Sequence, residues 1–445
     1  MKLVMLGGGG FRTPLVFGAL LRDRSERRIT DVWLHDVDEG RLETITQVLE
    51  AMAAGVPDPP RVRTGTDLDA ALEGADFVFC AIRTGGLEGR TADERVALEH
   101  GLLGQETVGP GGISYGLRTV PVALHVAHRV AALAPDAWVI NFTNPAGMIT
   151  EAMSAVLGHR VVGICDSPIA MARKAIRLLG ASESDARLDY VGLNHLGWLR
   201  AVTVDGKDRL PELLADDARL ARMEEGRLFG TEWLRSLGSI PNEYLYYYYF
   251  TREAVAKARA AEQTRGEYLV AQQAAFYAPA RQSSTDPFGE WEQVRLDRNA
   301  TYMQEARAEG EERDEEDAQG GGYEGVALAL MAAIARDEPA ELILNVRNGS
   351  TVPGLPEDAV VEVPCRVDRS GPTPHPRAPL ELHHLGLVQQ VKAVDRLVIE
   401  AARTGDPGLA VKAFALHPLV DSVTVARELL AGYRRRIPLV DALFR

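Results

Sequence analysis

Four consecutive glycines, Gly7-Gly8-Gly9-Gly10, end the first apolar run of the chain, and Thr13-Pro14 opens a helical pattern just beyond them. Backbone this bare lets a pyrophosphate approach a helix N-terminus, where free N–H groups and the helix dipole favour anions. The strict G-x-G-x-x-G spacing is not met, because Arg12 or Thr13 stands in the last glycine's place. Two features still point to a dinucleotide. The glycines fall in the first strand–helix unit, and Asp36 ends the next apolar run, where an acid binds the adenosine ribose hydroxyls. An acid rather than an arginine at that point selects NAD over NADP.

Other chemistry-bearing residues gather where apolar runs end. Arg83-Thr84-Gly85-Gly86-Leu87-Glu88-Gly89-Arg90 follows the run 77–82, and polar residues continue through Asp93, Glu94 and Arg95. With Gly104-Gln105-Glu106-Thr107 and Gly109-Pro110-Gly111-Gly112, this reads as a long polar loop of the kind that carries substrate contacts. In Asn141-Phe142-Thr143-Asn144-Pro145-Ala146 a helix is expected from Pro145. Asn144 is then either its N-cap or an amide holding sugar or nicotinamide-ribose hydroxyls. Cys165-Asp166-Ser167-Pro168 and Asn194-His195 supply one thiol and one imidazole. That is too few ligands for a structural zinc site, but enough for a catalytic metal completed by substrate oxygens and water. A buried thiol and a satisfied histidine are the plainer reading of the same pair. Within Pro241-Asn242-Glu243-Tyr244-Leu245-Tyr246-Tyr247-Tyr248-Tyr249-Phe250 most rings should simply pack. One tyrosine becomes a base only where a cation lowers its pKa from about 10.

The elements that must position these residues follow from the same runs. Residues 2–6, 32–35, 77–82, 137–142 and 161–165 read as strands, and 13–21 and 41–53 as helices, with another helix running to Leu179. Strands alternating with helices give βαβ units, and hence an α/β, Rossmann-like, doubly wound domain with its ligand at the strands' carboxyl ends. Past Leu188 the pattern loosens. Residues 190–193 and Val202-Thr203-Val204-Asp205-Gly206 read as strands, the second entering a turn, and helices are expected near 252–280, 324–336 and 383–403. The expected division is a nucleotide-binding domain over 1–190 and a mixed α+β domain over 191–445 for substrate, metal and oligomerisation. The charged run 305–317, ending in Gly320-Gly321-Gly322, reads as a solvated helix and loop.

Composition agrees with a folded protein that has a large core. The 445 residues are 46% hydrophobic and 25% charged, which rules out collagen-like, disordered and disulfide-scaffold classes. At 49 basic against 63 acidic residues the net charge of −14 argues against nucleic-acid binding, and an anionic substrate would need a local basic pocket. Cys80, Cys165 and Cys365 cannot all pair, so reduced thiols in the cytoplasm are expected, and no apolar stretch suits a membrane span.

Taken in order, these segments resemble the NAD- and metal-dependent glycoside hydrolase family 4. The resemblance rests on the glycine-rich start with Thr13-Pro14, the block from Arg83 to Glu94, Gly104-Gln105-Glu106-Thr107 and residues 141–146. It continues through Cys165-Asp166-Ser167-Pro168, Gly192-Leu193-Asn194-His195, residues 241–248 and Thr264-Arg265. It implies that Cys165 and His195 bind a divalent metal, commonly manganese, with sugar oxygens filling the shell. Tyr244 is implied as the base, Asp166 as the acid of α-specific members, and Glu106 as a neighbour of the same centre. Arg90 and Arg265 are implied to meet the substrate's phosphate and hydroxyls. Asn194 belongs with the substrate contacts, and Asn144 touches both sugar and cofactor.

The implied reaction is hydrolysis of a phosphorylated disaccharide or aryl glucoside 6-phosphate by redox-assisted elimination and re-addition of water. A homodimer or homotetramer is expected. Gly10 and Arg12 depart from the family's usual serine and tyrosine. Asp166-Ser167 matches neither the Asp-Met of the 6-phospho-α-glucosidases nor the Asn-Val of the 6-phospho-β-glucosidases. Gly109-Pro110-Gly111-Gly112 leans toward the α branch, whereas residues 319–323, Leu387-Val388-Gln389-Gln390 and His417-Pro418-Leu419-Val420 resemble the β branch. The β reading is favoured. Two rivals stand beside it: an NAD-linked hydroxy-acid dehydrogenase, which would accumulate NADH, and a non-catalytic NAD sensor, which would hydrolyse nothing.

Overall fold

Lys2–Leu6 (β1) is apolar on alternate and intervening positions alike, so it must lie inside a sheet covered on both faces. In the computed structural model, which describes residues 1–278, 285–303 and 322–445, Leu3 and Met5 enter one core while Val4 and Leu6 enter another. Around β1 run Asp31–His35 (β2), Arg61–Gly65 (β3), Phe77–Cys80 (β4), Trp138–Asn141 (β5) and Val161–Gly163 (β6). All are parallel, in the order β3-β2-β1-β4-β5-β6. This is the expected doubly wound arrangement, with its switch point between β1 and β4.

The connecting helices are Thr13–Arg22 (α1), Glu39–Ala53 (α2), Leu68–Leu72 (α3), Gly86–Glu99 (α4), Gly109–Leu133 (α5), Ala146–Leu157 (α6) and Ser167–Leu178 (α7). Proline fits the first turn of α1, α5 and α7, where no intrahelical N–H is required. Asp38 caps α2 by accepting from Arg41 N.

Two sequence expectations change. The stretch after β4 is not one long polar loop, because 86–99 is helical and α5 already begins at Gly109. Its charged residues Arg90, Asp93 and Glu94 are buried and paired, so their polarity does not mark solvent. Asn144 does not cap α6 either: Pro145 occupies the cap and the helix starts at Ala146.

The second half extends the same sheet. Ala186–Leu193 (β7), Leu196–Val204 (β8), Lys207–Asp208 (β9) and Ile240–Pro241 (β10) are joined to the parallel half through Ala340–Arg347 (β11) and Val360–Asp368 (β12). Gly371–Pro374 (β13) pairs with β12. The two seams are Asn345 opposite Gly163 and Glu362 opposite Gly192. The turn anticipated at Asp205-Gly206 is present, with both residues at positive φ between β8 and β9. Helices Thr251–Ala260, Arg265–Phe276, Tyr323–Arg336 and Leu382–Thr404 occupy the stretches expected to be helical. Arg265–Phe276 packs on α4 and Pro287–Ala300 on α2, so the second half covers the strand ends of the first. The charged run 305–317 and Gly320-Gly321 lie outside the described residues. Among the described residues, no helix is long and apolar enough to cross a membrane.

Candidate active site

One cleft of about 1310 Å³ runs over the carboxyl ends of the parallel strands. Its first wall is the glycine turn. Gly7 sits at φ +80°, and a Cβ there would lie 2.6 Å from the Ala81 carbonyl oxygen, so no side chain fits. A Cβ on Gly10 would lie 2.8 Å from the Gly7 oxygen. Gly7 N and Gly8 N donate to the His35 oxygen at 2.9 and 2.8 Å, and Gly9 N donates to Asp36 Oδ2 at 3.1 Å. Distant side chains grip the turn from the other side. Tyr277 OH donates to Gly9 O at 2.8 Å, Trp291 Nε1 to Phe11 O at 2.9 Å, and Tyr323 OH to Arg12 O at 3.1 Å. A bare turn ahead of α1, with Asp36 lining the cleft at the end of β2, fits the pyrophosphate and ribose of a dinucleotide.

The second wall carries the thiol and the imidazole. Cys165 follows β6, and His195 sits at φ +63° in the tight turn between β7 and β8. Cys165 Sγ is 3.5 Å from His195 Nε2. Two adjacent ligands of one ion, at about 2.3 Å for sulfur and about 2.1 Å for nitrogen, lie about 3.1 Å apart in octahedral and about 3.6 Å apart in tetrahedral geometry. The pair therefore fits a shared metal. Thr107 Oγ1 shares a 2.8 Å hydrogen bond with His195 Nδ1, which leaves Nε2 facing the thiol. Burial pushes His195 down to about 3 despite nearby Glu106, so its ring is neutral, the ligating form. Burial, with Glu362 and Asp166 adding to it, raises the Cys165 thiol well above its ordinary range, and a bound cation is what would reverse that.

Tyr244 lies flat on His195, with ring centroids 3.6 Å apart and planes within 8°. Its hydroxyl is 2.8 Å from Tyr302 OH, which also stands 3.3 Å from Glu243 Oε1, and Ser167 Oγ donates to the same carboxylate at 2.7 Å. Burial and Glu243 push Tyr244 well above 10, against the hydrogen bond from Tyr302. Asp166 lines the cleft beside Cys165, its Oδ1 4.0 Å from the sulfur.

The third wall is basic. Glu106 is ion-paired with Arg83 and accepts from Arg90 Nη1 at 2.7 Å. Burial opposes its ionisation, but the two guanidiniums outweigh burial and hold the carboxyl far below the usual range. Arg90 Nε also donates to Glu94 Oε1 at 2.9 Å. Arg265 donates to Thr301 Oγ1 at 2.6 Å and to the Arg298 carbonyl at 2.9 Å. Asn144 lines the cleft with them. Asn194 does not: its amide turns under the hairpin and donates to Glu362 Oε1 at 3.2 Å.

Sequence reasoning missed four groups here. Thr107 stands in the Gly104-Gln105-Glu106-Thr107 segment with nothing to mark it as a partner of His195, and Tyr302, Arg298 and Glu362 carry no local signal. Glu362 is fully buried and also accepts from Tyr190 OH at 2.9 Å and Asn345 Nδ2 at 2.9 Å.

Known proteins share this architecture. Residues 2–181 match the pattern described as Family 4 glycosyl hydrolase, and residues 190–420 match the Family 4 glycosyl hydrolase C-terminal domain. A probable 6-phospho-beta-glucosidase of Bacillus subtilis strain 168 is 32% identical over 440 residues, covering 97% of this chain and 95% of the relative. A 6-phospho-beta-glucosidase of Escherichia coli strain K12 is 32% identical over 455 residues, covering 98% and 96%. The solved 6-phospho-beta glucosidase of Thermotoga maritima with manganese, NAD+ and glucose-6-phosphate superposes with a TM-score of 0.81 at 28% identity, covering 98% of each chain. Cys165 falls in the first matched stretch and His195 and Tyr244 in the second, so the cleft is built from both. With a likeness that runs the length of the sequence, the chain belongs to the family 4 glycosyl hydrolases.

Proposed function

We propose that this enzyme hydrolyses 6-phospho-β-glucosides, phosphorylated disaccharides such as cellobiose 6-phosphate or aryl glucoside 6-phosphates, in the cytoplasm. The single observation that carries the reading is the stack of Tyr244 on His195, with Cys165 Sγ 3.5 Å from the same imidazole. The names of the two 32% identical relatives support the β-linked phosphorylated substrate. Cys165 and His195 would hold a divalent metal, manganese, as reported for the Thermotoga maritima enzyme, and the Gly7–Gly10 turn with Asp36 would hold NAD. When bound, NAD supplies a reversible hydride acceptor and the metal polarises a sugar oxygen.

The chain's own residues then have distinct tasks. Tyr244 takes the proton from C2 of the sugar, a demand that suits a base of high intrinsic pKa lying against a metal ligand. Asp166 delivers a proton to the departing glycosidic oxygen. Glu106, held ionised by two guanidiniums, is not a proton donor; it fixes Arg83 and Arg90 along the basic wall. The same loss and return of a proton at C2 serves either anomer, and Asp166, the acid of α-specific members, favours 6-phospho-α-glucosides as the second reading.

Assaying α- and β-nitrophenyl glucosides, with and without 6-phosphate, in NAD, manganese and reductant tests the proposal. The 6-phosphorylated β anomer should be cleaved fastest. Cleavage of neither phosphorylated anomer would end the reading.

A further inference from the structure

A substrate carrying a phosphate dianion needs positive charge that the protein has not already spent on itself. Nine arginine and lysine side chains line the cleft; Arg41 and Arg173 pair with Asp38 and Glu183, and Lys174 and Arg177 are also engaged, which leaves Arg12, Arg83, Arg90, Arg265 and Arg298. Three of them are committed. Arg83 and Arg90 close on Glu106, and Arg90 also on Glu94. Arg265 uses both terminal nitrogens, one on the Thr301 hydroxyl and one on the Arg298 carbonyl. Among the described residues, Arg12 and Arg298 have neither an ion pair nor a side-chain hydrogen bond.

Both are nevertheless held in place. The Arg12 guanidinium lies 5.1 Å from the Phe142 ring centroid and 5.2 Å from that of Tyr323, rings that stack on each other at 4.3 Å. The Arg298 guanidinium lies 5.6 Å from the ring of Phe11. Aromatic shelves orient a guanidinium without using its N–H groups, so those donors stay available to a ligand. Arg298 is pressed by burial and by the charges of Arg12, Arg265, Arg83 and Arg90, so an added anion would be welcome there. Arg12 is within electrostatic reach of Asp166, Glu106 and Tyr244, which puts it on the sugar side of the glycine turn.

We infer that Arg12 and Arg298 are the pair that reads the substrate's phosphate monoester, and that Arg265 is a positioning residue that fixes the end of the Arg298 helix. The inference rests on the phosphoglucosidase reading and deepens it. It also reassigns the phosphate contact expected of Arg265. The NAD pyrophosphate offers the same chemistry close to Arg12, so the test must separate the two sources.

Arg12→Met, Arg298→Met and their lysine counterparts would be compared with the unaltered enzyme by calorimetric titration with glucose 6-phosphate, with NAD, and with inorganic phosphate. KM for nitrophenyl β-glucoside 6-phosphate and for its unphosphorylated analogue would be measured alongside. The methionine variants should bind inorganic phosphate and glucose 6-phosphate at least roughly tenfold more weakly, as loss of a charge-assisted contact requires, while NAD affinity stays within about twofold. The lysine variants, which keep charge and stem packing, should recover part of the loss and show that the fold is intact. KM should rise for the phosphorylated glycoside alone. Equal weakening of phosphorylated and unphosphorylated ligands would overturn the inference, and so would a fall in NAD affinity with phosphate binding unchanged. If no glucoside is cleaved at all, the functional reading fails, but the phosphate titrations still decide the roles of Arg12 and Arg298.

Discussion

Replacing Glu362 with glutamine should flatten the pH dependence of stability of the metal-free protein. The carboxyl is fully buried and accepts from Tyr190, Asn194 and Asn345, with no cation among the groups that bond it. Burial outweighs those three donors and raises the group from its ordinary 4.5 to about 7. The native state therefore holds the proton more tightly than the unfolded chain. Its contribution is complete below about 4.5 and is lost as the pH rises through about 7. At about 1.4 kcal/mol for each pH unit of displacement, the loss is about 3 kcal/mol. Glutamine keeps the shape and one carbonyl acceptor, at a pH-independent cost of about 1–3 kcal/mol for the acceptor it lacks. Urea unfolding of the chelated protein at pH 5 and pH 8 reads the difference directly, because the other titrating groups are common to both chains. The unaltered protein should lose about 2.5 kcal/mol more than Glu362→Gln between those conditions, since the unfolded carboxyl is already mostly ionised at pH 5. Parallel profiles, agreeing within about 0.5 kcal/mol, would show that Glu362 does not titrate against folding as its burial requires.

Cys165→Ser and His195→Ala should each lose bound manganese and activity while keeping NAD affinity, measured by metal content after dialysis and by NAD titration; full activity in the presence of chelator would refute the metal assignment. Thr107→Val removes the hydroxyl on His195 Nδ1 and should weaken manganese binding about 10–100-fold with little change in NAD affinity. Arg118→Met leaves Asp93 buried and unpaired beneath the Arg83 turn and should cost about 3–5 kcal/mol in urea unfolding.

The parts of this molecule that were legible in the sequence are those where a local pattern and a local structure coincide. β1 and β4 are continuous apolar runs because both faces are covered, and the glycines after β1 announce a turn that no side chain fits. Cys165 and His195 stand out because each follows a strand-like run, although only the hairpin between β7 and β8 brings the imidazole to the thiol. β3 carries no apolar signal, because its residues, Arg61-Val62-Arg63-Thr64-Gly65, belong to an edge strand with little to bury. The 86–99 helix looks like a polar loop in the sequence because buried ion pairs such as Arg118 with Asp93 make an interior segment polar. Glu362 sits in Val360-Val361-Glu362-Val363-Pro364-Cys365, where alternation suggests one solvent-facing position, yet every one of these residues is buried. Arg298 was invisible for another reason. Its helix is highly charged, and only the packing of that helix on α2 turns this arginine toward the cleft.

Proton movement at C2 by Tyr244 and displacement of the aglycone at C1 by a carboxylate leave different labels on the sugar in deuterated water. Nitrophenyl β-glucoside 6-phosphate would be turned over with NAD and manganese, and the sugar product examined by NMR. Deuterium is expected at C2 of the product, with a large fall in its rate of incorporation in Tyr244→Phe while manganese stays bound. Product that keeps ordinary hydrogen at C2, formed at full rate by Tyr244→Phe, would contradict proton movement by Tyr244.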